Sequence, residues 1–125
     1  MNSLPLLKCY SGIATTKNRV VAVVNNRNEH RIILLQDLVY LEGYGNYSYL
    51  YTSDGKRYLI SKTLKKFADL LDKSHFVRIH KSSIINLLYL QQYSQCTQSV
   101  QMKDGKEIPV SRRRIRDISH VTNKT

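Results

Sequence analysis

The chain has 125 residues, 42% of them hydrophobic, and carries 20 Lys+Arg against 9 Asp+Glu, for a formal charge of +11 and a pI near 9.8. That length suits one domain with a modest core. No apolar run approaches the ~18 residues of a membrane span, Leu4-Pro5-Leu6-Leu7 is too short for a signal-peptide core, and the two lone cysteines, Cys9 and Cys96, have no C-x-x-C spacing for a zinc knuckle and do not suggest a disulfide framework.

In chain order, residues 1–18 show no sustained period and read as a leader or linker. Arg19 to Asn25 is a β-branched run that predicts a strand. Asn25 to Asn28 is turn chemistry, and Arg31 to Leu35 returns as a second strand, so the two form a hairpin. Val39 to Glu42 is strand, Gly43-Tyr44-Gly45-Asn46 a loop, and Tyr47 to Thr52 an alternating strand. Asp54-Gly55 is a hairpin turn signal, with Arg57 to Ile60 as the partner strand. Tyr47, Tyr49 and Tyr51 share one face of their strand. That stripe is either half-buried sheet surface or a stacking platform for bases.

Ser61 is placed to cap a helix from Lys62 to Leu71, in which Leu64, Phe67, Ala68 and Leu71 make one apolar face. From Phe76 the sequence F-V-R-I-H-K-S-S-I-I-N sends Val77 and Ile79 to a buried face and leaves Arg78, His80 and Lys81 at a polar corner before Ile84-Ile85. Leu87 to Leu90 continues as strand, and Tyr93 to Ser99 reads as an exposed loop or edge. Val100 to Met102 and Glu107 to Val110 pair across Asp104-Gly105, with Pro109 marking an edge. Ser111 caps a short terminal helix with Ile115 and Ile118 facing inward, and the chain ends in a frayed tail from His120, with residues 121–125 disordered.

Charge is not evenly spread. Residues 1–55 hold five basic side chains against four acidic, while residues 56–125 hold fifteen against five. A one-sided positive field attracts nucleic acid or an anionic surface. Arg112-Arg113-Arg114 stand in the first turn of the terminal helix, where the dipole disfavours cations. That placement makes sense if a phosphate meets guanidinium and free backbone N–H groups together; the alternative is a solvated basic terminus. Asn46 adds a group able to donate and accept, as an adenine edge requires. Ser, His and Asp are present, but no nucleophile elbow, metal cluster or phosphate loop is, so neither a catalytic site nor a metal or cofactor is expected.

Three segments, "DLVYLEGYGNYSYLYTSDGKRYLISKTLKKF", "FVRIHKSSIINLLYL" and "KDGKEIPVSRRRIRDI", closely resemble the LytTR DNA-binding domain of bacterial transcription regulators, in order and spacing, over about residues 19–119, which places the domain at 19–120. The resemblance implies a mainly β fold: an elongated arrangement of about ten short strands in three antiparallel sheets, with one substantial helix and a short C-terminal one. It implies binding to promoter repeats of double-stranded DNA, through loops, with bending of the duplex. Its contacts carry over to Asn46, Tyr47 and Ser48, to His80, Lys81 and Ser82, and to Arg112, Arg113 and Arg114, with Arg113 foremost. Arg78 is set apart as a side chain that pairs internally. A homodimer on DNA and a preceding receiver domain of a two-component response regulator belong to the same picture, although this chain has no room for a receiver and no acidic pocket. It reads either as a stand-alone regulator or as an excised C-terminal domain, cytoplasmic in both cases. The contrasting function is an RNA or single-strand binder using the tyrosine stripe.

Overall fold

Short β-branched and aromatic runs separated by turn residues favour hairpins over long helices. The computed structural model describes residues 7–8, 20–25 and 27–122; among these, eleven strands form three antiparallel sheets. The first sheet joins β1 (Leu7–Lys8), β2 (Val20–Asn25) and β3 (His30–Leu34) in that order. The central sheet contains β4 (Leu38–Tyr44), β5 (Tyr47–Thr52), β6 (Arg57–Ile60), β7 (Phe76–His80) and β8 (Ser83–Asn86), in the order β6-β5-β4-β8-β7. The third holds β9 (Leu90–Ser94), β10 (Ser99–Met102) and β11 (Glu107–Pro109), with β11 at an edge as Pro109 requires. Two short helices, α1 (Leu64–Leu70) and α2 (Ile115–Thr122), complete the fold.

The central sheet is buried on both faces. Leu38, Leu41, Leu50 and Ile84 face one core with Val21, Val24, Ile33 and the α1 residues Leu64 and Phe67. Val39, Tyr40, Ile79 and Ile85 face a second core with Val100, Met102, Ile108 and Ile118. Consecutive residues Val39 and Tyr40 share the second core because the register of β4 against β5 shifts between Leu38 and Tyr40. Such a shift breaks the strict alternation of a strand. A second one between Arg78 and His80 ends β7 at the polar corner.

The structure corrects several sequence-based expectations. The helix cap is Thr63, whose hydroxyl accepts from Lys66 N at 3.2 Å, and not Ser61. The chain is still turning at Lys62, whose N–H donates to Ile60 O at 2.8 Å, so α1 starts at Leu64. The loop expected over Gly43 to Asn46 is a two-residue turn: Tyr44 pairs with Tyr47, and Gly45 takes φ +61° between them. A positive φ at the first turn position suits Gly and matches the twist of the flanking strands. Leu87–Tyr89 is a 3₁₀ turn and not strand, and β9 extends to Ser94 as an edge strand, the second of the two readings of Tyr93 to Ser99. Ser111 makes no side-chain cap bond; Arg112–Arg114 form a 3₁₀ turn ahead of α2. Within the stretch read as leader, Leu7–Lys8 pairs with β2 and the other residues lie outside the described ones. At the other end α2 runs to Thr122, past the expected fraying point at His120, and 123–125 lie outside the described residues.

Candidate nucleic-acid interface

Two antiparallel strands that pair side by side end together, and so do the turns that follow them. Glu42 of β4 pairs with Ser83 of β8, which sets the β4–β5 hairpin tip beside the β7–β8 turn at one end of the central sheet. Gly43 N donates to Ser82 O at 2.9 Å and fastens the two. The hairpin projects two residues beyond that pairing, roughly 7 Å at strand rise, and carries Asn46 and Tyr47 exposed at its tip. On the other side of the β7–β8 turn, Ser111 N donates to Ile79 O at 2.8 Å. That bond brings the Arg112–Arg114 turn to the same end. The two cationic segments and the Asn46 hairpin are thus joined through main chain.

Within this edge the side chains differ in what they offer. Lys81, Arg112 and Arg113 are exposed cations. Arg114 is half-buried and lies 3.8 Å from Asp117. His80 is half-buried, and its Nδ1 accepts from Ser82 N at 3.2 Å and meets Ser82 Oγ at 3.0 Å. An Nδ1 that accepts from a backbone amide must carry a lone pair, so the neutral ring holds its proton on Nε2. Ser82 therefore orients His80. Ser48 is fully buried and its hydroxyl donates to Lys62 O at 2.7 Å, so this side chain faces the core and not the edge. Arg78 acts as a strut: Nε donates to His80 O at 3.3 Å and a terminal nitrogen to Lys81 O at 2.6 Å, holding the turn from within. Burial, then the charge of Arg114, pull the Arg78 guanidinium below its ordinary value.

The tyrosine stripe divides. Tyr51 stacks on Tyr40 with ring centroids 4.2 Å apart and donates to Glu42 at 2.8 Å. Burial is the main cause pushing both hydroxyls up to about 12. Tyr49 lies under the Arg57 guanidinium at 4.4 Å. Tyr44 and Tyr47 alone among these rings are exposed. A run of three adjacent free stacking faces is not formed.

Two neighbours of the edge carried no sequence signal. Gly43 faces Leu64 closely enough that a Cβ there would sit 3.6 Å from the Leu64 side chain, which brings the start of α1 alongside. Gln98 accepts from Val110 N at 2.8 Å, placing the β9–β10 turn next to Ser111. Both contacts join segments distant in sequence through main chain or packing, which no motif encodes. Among the described residues no group of three or more His, Cys, Asp or Glu could hold a metal ion, and no helix is long and apolar enough to cross a membrane.

Comparison with known proteins bears on the fold and family. The chain is 33% identical over 108 residues to the heme-containing CO-sensing transcriptional regulator RcoM 1 of Paraburkholderia xenovorans, covering 82% of this chain and 40% of that protein. It is 28% identical over 110 residues to the transcriptional regulatory protein YpdB of Escherichia coli K12, covering 83% and 45%. It is 40% identical over 58 residues to the sensory transduction protein LytT of Bacillus subtilis, covering 44% and 24%. The chain thus spans under half the length of each of these curated relatives. A solved LytTr DNA-binding domain from Bacillus cereus shares the fold with a TM-score of 0.71 at 21% identity, over 82% of this chain and 96% of that one. The family model of the LytTr DNA-binding domain matches residues 28–123, and the chain belongs to that family.

Proposed function

We propose that the domain binds promoter repeats of double-stranded DNA in bacterial transcription regulation, reading them through the turns at one end of its central sheet. The observation that supports this reading is the pair of main-chain bonds, Gly43 N to Ser82 O and Ser111 N to Ile79 O, that hold three turns in a row with Lys81, Arg112 and Arg113 exposed on them. In this reading Arg113 and Lys81 meet phosphate or guanine, and Arg112 adds a backbone contact. Asn46 and Tyr47 enter the adjacent groove, with His80 Nε2–H as a further donor. Ser82, Arg114 and Arg78 hold these groups in place. Ser48 supports the hairpin from the core. The domain acts by binding, without a catalytic step or cofactor, on cytoplasmic DNA. A second copy on the neighbouring repeat and a separate signal-receiving domain, such as a receiver, complete the proposal.

Selection of bound fragments from random duplex DNA, followed by anisotropy titration on the selected site, tests it. If about six phosphates are neutralised, log K falls against log salt with a slope near −5. Arg113→Ala and Lys81→Ala each weaken binding. Lys103→Ala does not, since Lys103 N bonds Tyr89 O beyond the far end of β8. A flat salt response, equal effects of all three substitutions, or preference for the separated strands over the duplex would each overturn the reading.

A further inference from the structure

Beside the proposed DNA edge, and sharing Arg78 and Arg114 with it, lies a cleft of about 780 Å³ between α1, β7 and the start of α2. Its floor is apolar: Leu71, Phe76, Val77 and Ile84 line it together with Ala68 of α1. Its rim is cationic. Lys65, Lys73, Arg78, Arg114 and Arg116 face Asp69 and Asp117 only, five cations against two carboxylates. Lys65 and Arg116 are exposed and have no ion-pair partner among the described residues. Arg114 meets Asp117 at a loose 3.8 Å. An apolar floor under a surplus of cations matches one class of molecule in particular, an apolar body with an anionic head. The volume falls in the range of small-molecule sites, which are concave, mostly apolar and carry a few convergent polar groups.

The geometry points to a binding site in this cleft for a small amphiphilic anion, such as a medium-chain or aromatic carboxylate, with its apolar body against Phe76 and Val77 and its head among Lys65, Arg114 and Arg116. A neutral molecule of the same shape would leave the rim charges unmatched. A bare inorganic anion would leave the floor wet. Burial first, and the charge of Arg114 second, hold Arg78 below its ordinary value, and a negative group near both guanidiniums relieves the repulsion between them. The site shares Arg78 and Arg114 with the DNA edge but does not require the DNA-binding reading, and its test uses no DNA.

The domain is titrated with anilinonaphthalene sulfonate, read by fluorescence, and with octanoate and octanamide, read by amide chemical shifts. One saturable site is expected. Octanoate displaces the dye and octanamide does not, and the largest shifts fall on Ala68, Val77 and Arg116. The double substitution Lys65→Glu with Arg116→Glu, both at exposed positions, weakens octanoate about tenfold, whereas Lys103→Glu leaves it unchanged. Equal displacement by octanamide would reduce the cleft to an apolar patch. Equal loss with Lys103→Glu would mean diffuse charge attraction. Binding only of a synthetic acidic helical peptide, or only of phosphatidylglycerol vesicles, would make the cleft a macromolecular docking surface. Each of these three results overturns the site.

Discussion

Asn86 has no surface and three hydrogen bonds. Its amide nitrogen donates to Leu35 O at 3.1 Å and Leu38 O at 2.7 Å, and its Oδ1 accepts from Leu88 N at 3.0 Å. One side chain thus ties the 3₁₀ turns Leu35–Asp37 and Leu87–Tyr89 to the start of β4. Replacing it with Ala removes the side-chain partners of Leu38 O and Leu88 N, at about 1–3 kcal/mol each when unsatisfied, and one of the two donors to Leu35 O, which keeps the Leu38 N–H. We expect Asn86→Ala to destabilise by about 2–4 kcal/mol in urea unfolding. Arg78 gives a different kind of prediction. Because it holds His80 O and Lys81 O and touches no phosphate in the proposed complex, Arg78→Met should lower DNA affinity while leaving the salt slope unchanged. Arg113→Ala should lower affinity and flatten the slope by about one unit. Parallel anisotropy titrations across salt separate the two. The charged residues of the edge could be named from sequence because their number and position are unusual. Arg78 was set apart as an internally paired side chain, but its acceptors and the role of the buried Asn could not be named, since a polar residue's partners are fixed only once the folded segments meet.

Turns and joints decide stability at the scale of elements. The two Asp-Gly turns were legible: Gly55 and Gly105 take φ +87° and +94°, and Asp54 and Asp104 each accept from the following Lys amide. The β9–β10 turn was not, because no glycine marks it; Gln98 occupies φ +51° in its place. A non-glycine residue there carries about 1–2 kcal/mol of steric cost. Gln98→Gly should therefore raise stability by about 0.5–1 kcal/mol, measured as a shift of the urea midpoint at constant m-value. The joint between α1 and β7 rests on Asp72, which accepts from Ser74 N at 2.9 Å, Ser74 Oγ at 2.7 Å and His75 Nδ1 at 3.1 Å. The Ser74 backbone bond first, then its hydroxyl, lower the carboxyl to about 2. A depressed carboxylate pKa contributes stability that is complete above the unfolded value near 3.9 and is lost as pH falls toward about 2. In an acid titration the wild-type should lose stability across that window, and Asp72→Asn should lose less of it. Helix α1 was found with its apolar face correct and its start displaced by two residues, because Lys62 still belongs to the turn after β6.

For the whole molecule, the central sheet is the shared wall of both cores. Phe67 belongs to one and Ile118 to the other, and both are essentially inaccessible. Removing either undermines the same five strands. Phe67→Ala and Ile118→Ala should each cost about 2–5 kcal/mol and still give one coincident transition by far-ultraviolet circular dichroism and tyrosine fluorescence. Two separated transitions would show that the cores unfold independently. The mainly β class was readable from short strands and Asp-Gly turns, whereas the three-sheet plan came only with the family resemblance. The register shifts were not, because a single displaced residue leaves the local composition unchanged.

The bonds from Gly43 to Ser82 and from Ser111 to Ile79 have one more effect. A reader whose fingertips are fastened at the knuckles cannot spread them to follow a substrate of altered pitch. Inserting one base pair between the contacted steps rotates the second step by about a tenth of a helical turn, and this edge has no joint with which to follow. Recognition would then depend on helical phase as sharply as on base identity, and whatever adjustment complex formation demands would fall on the duplex.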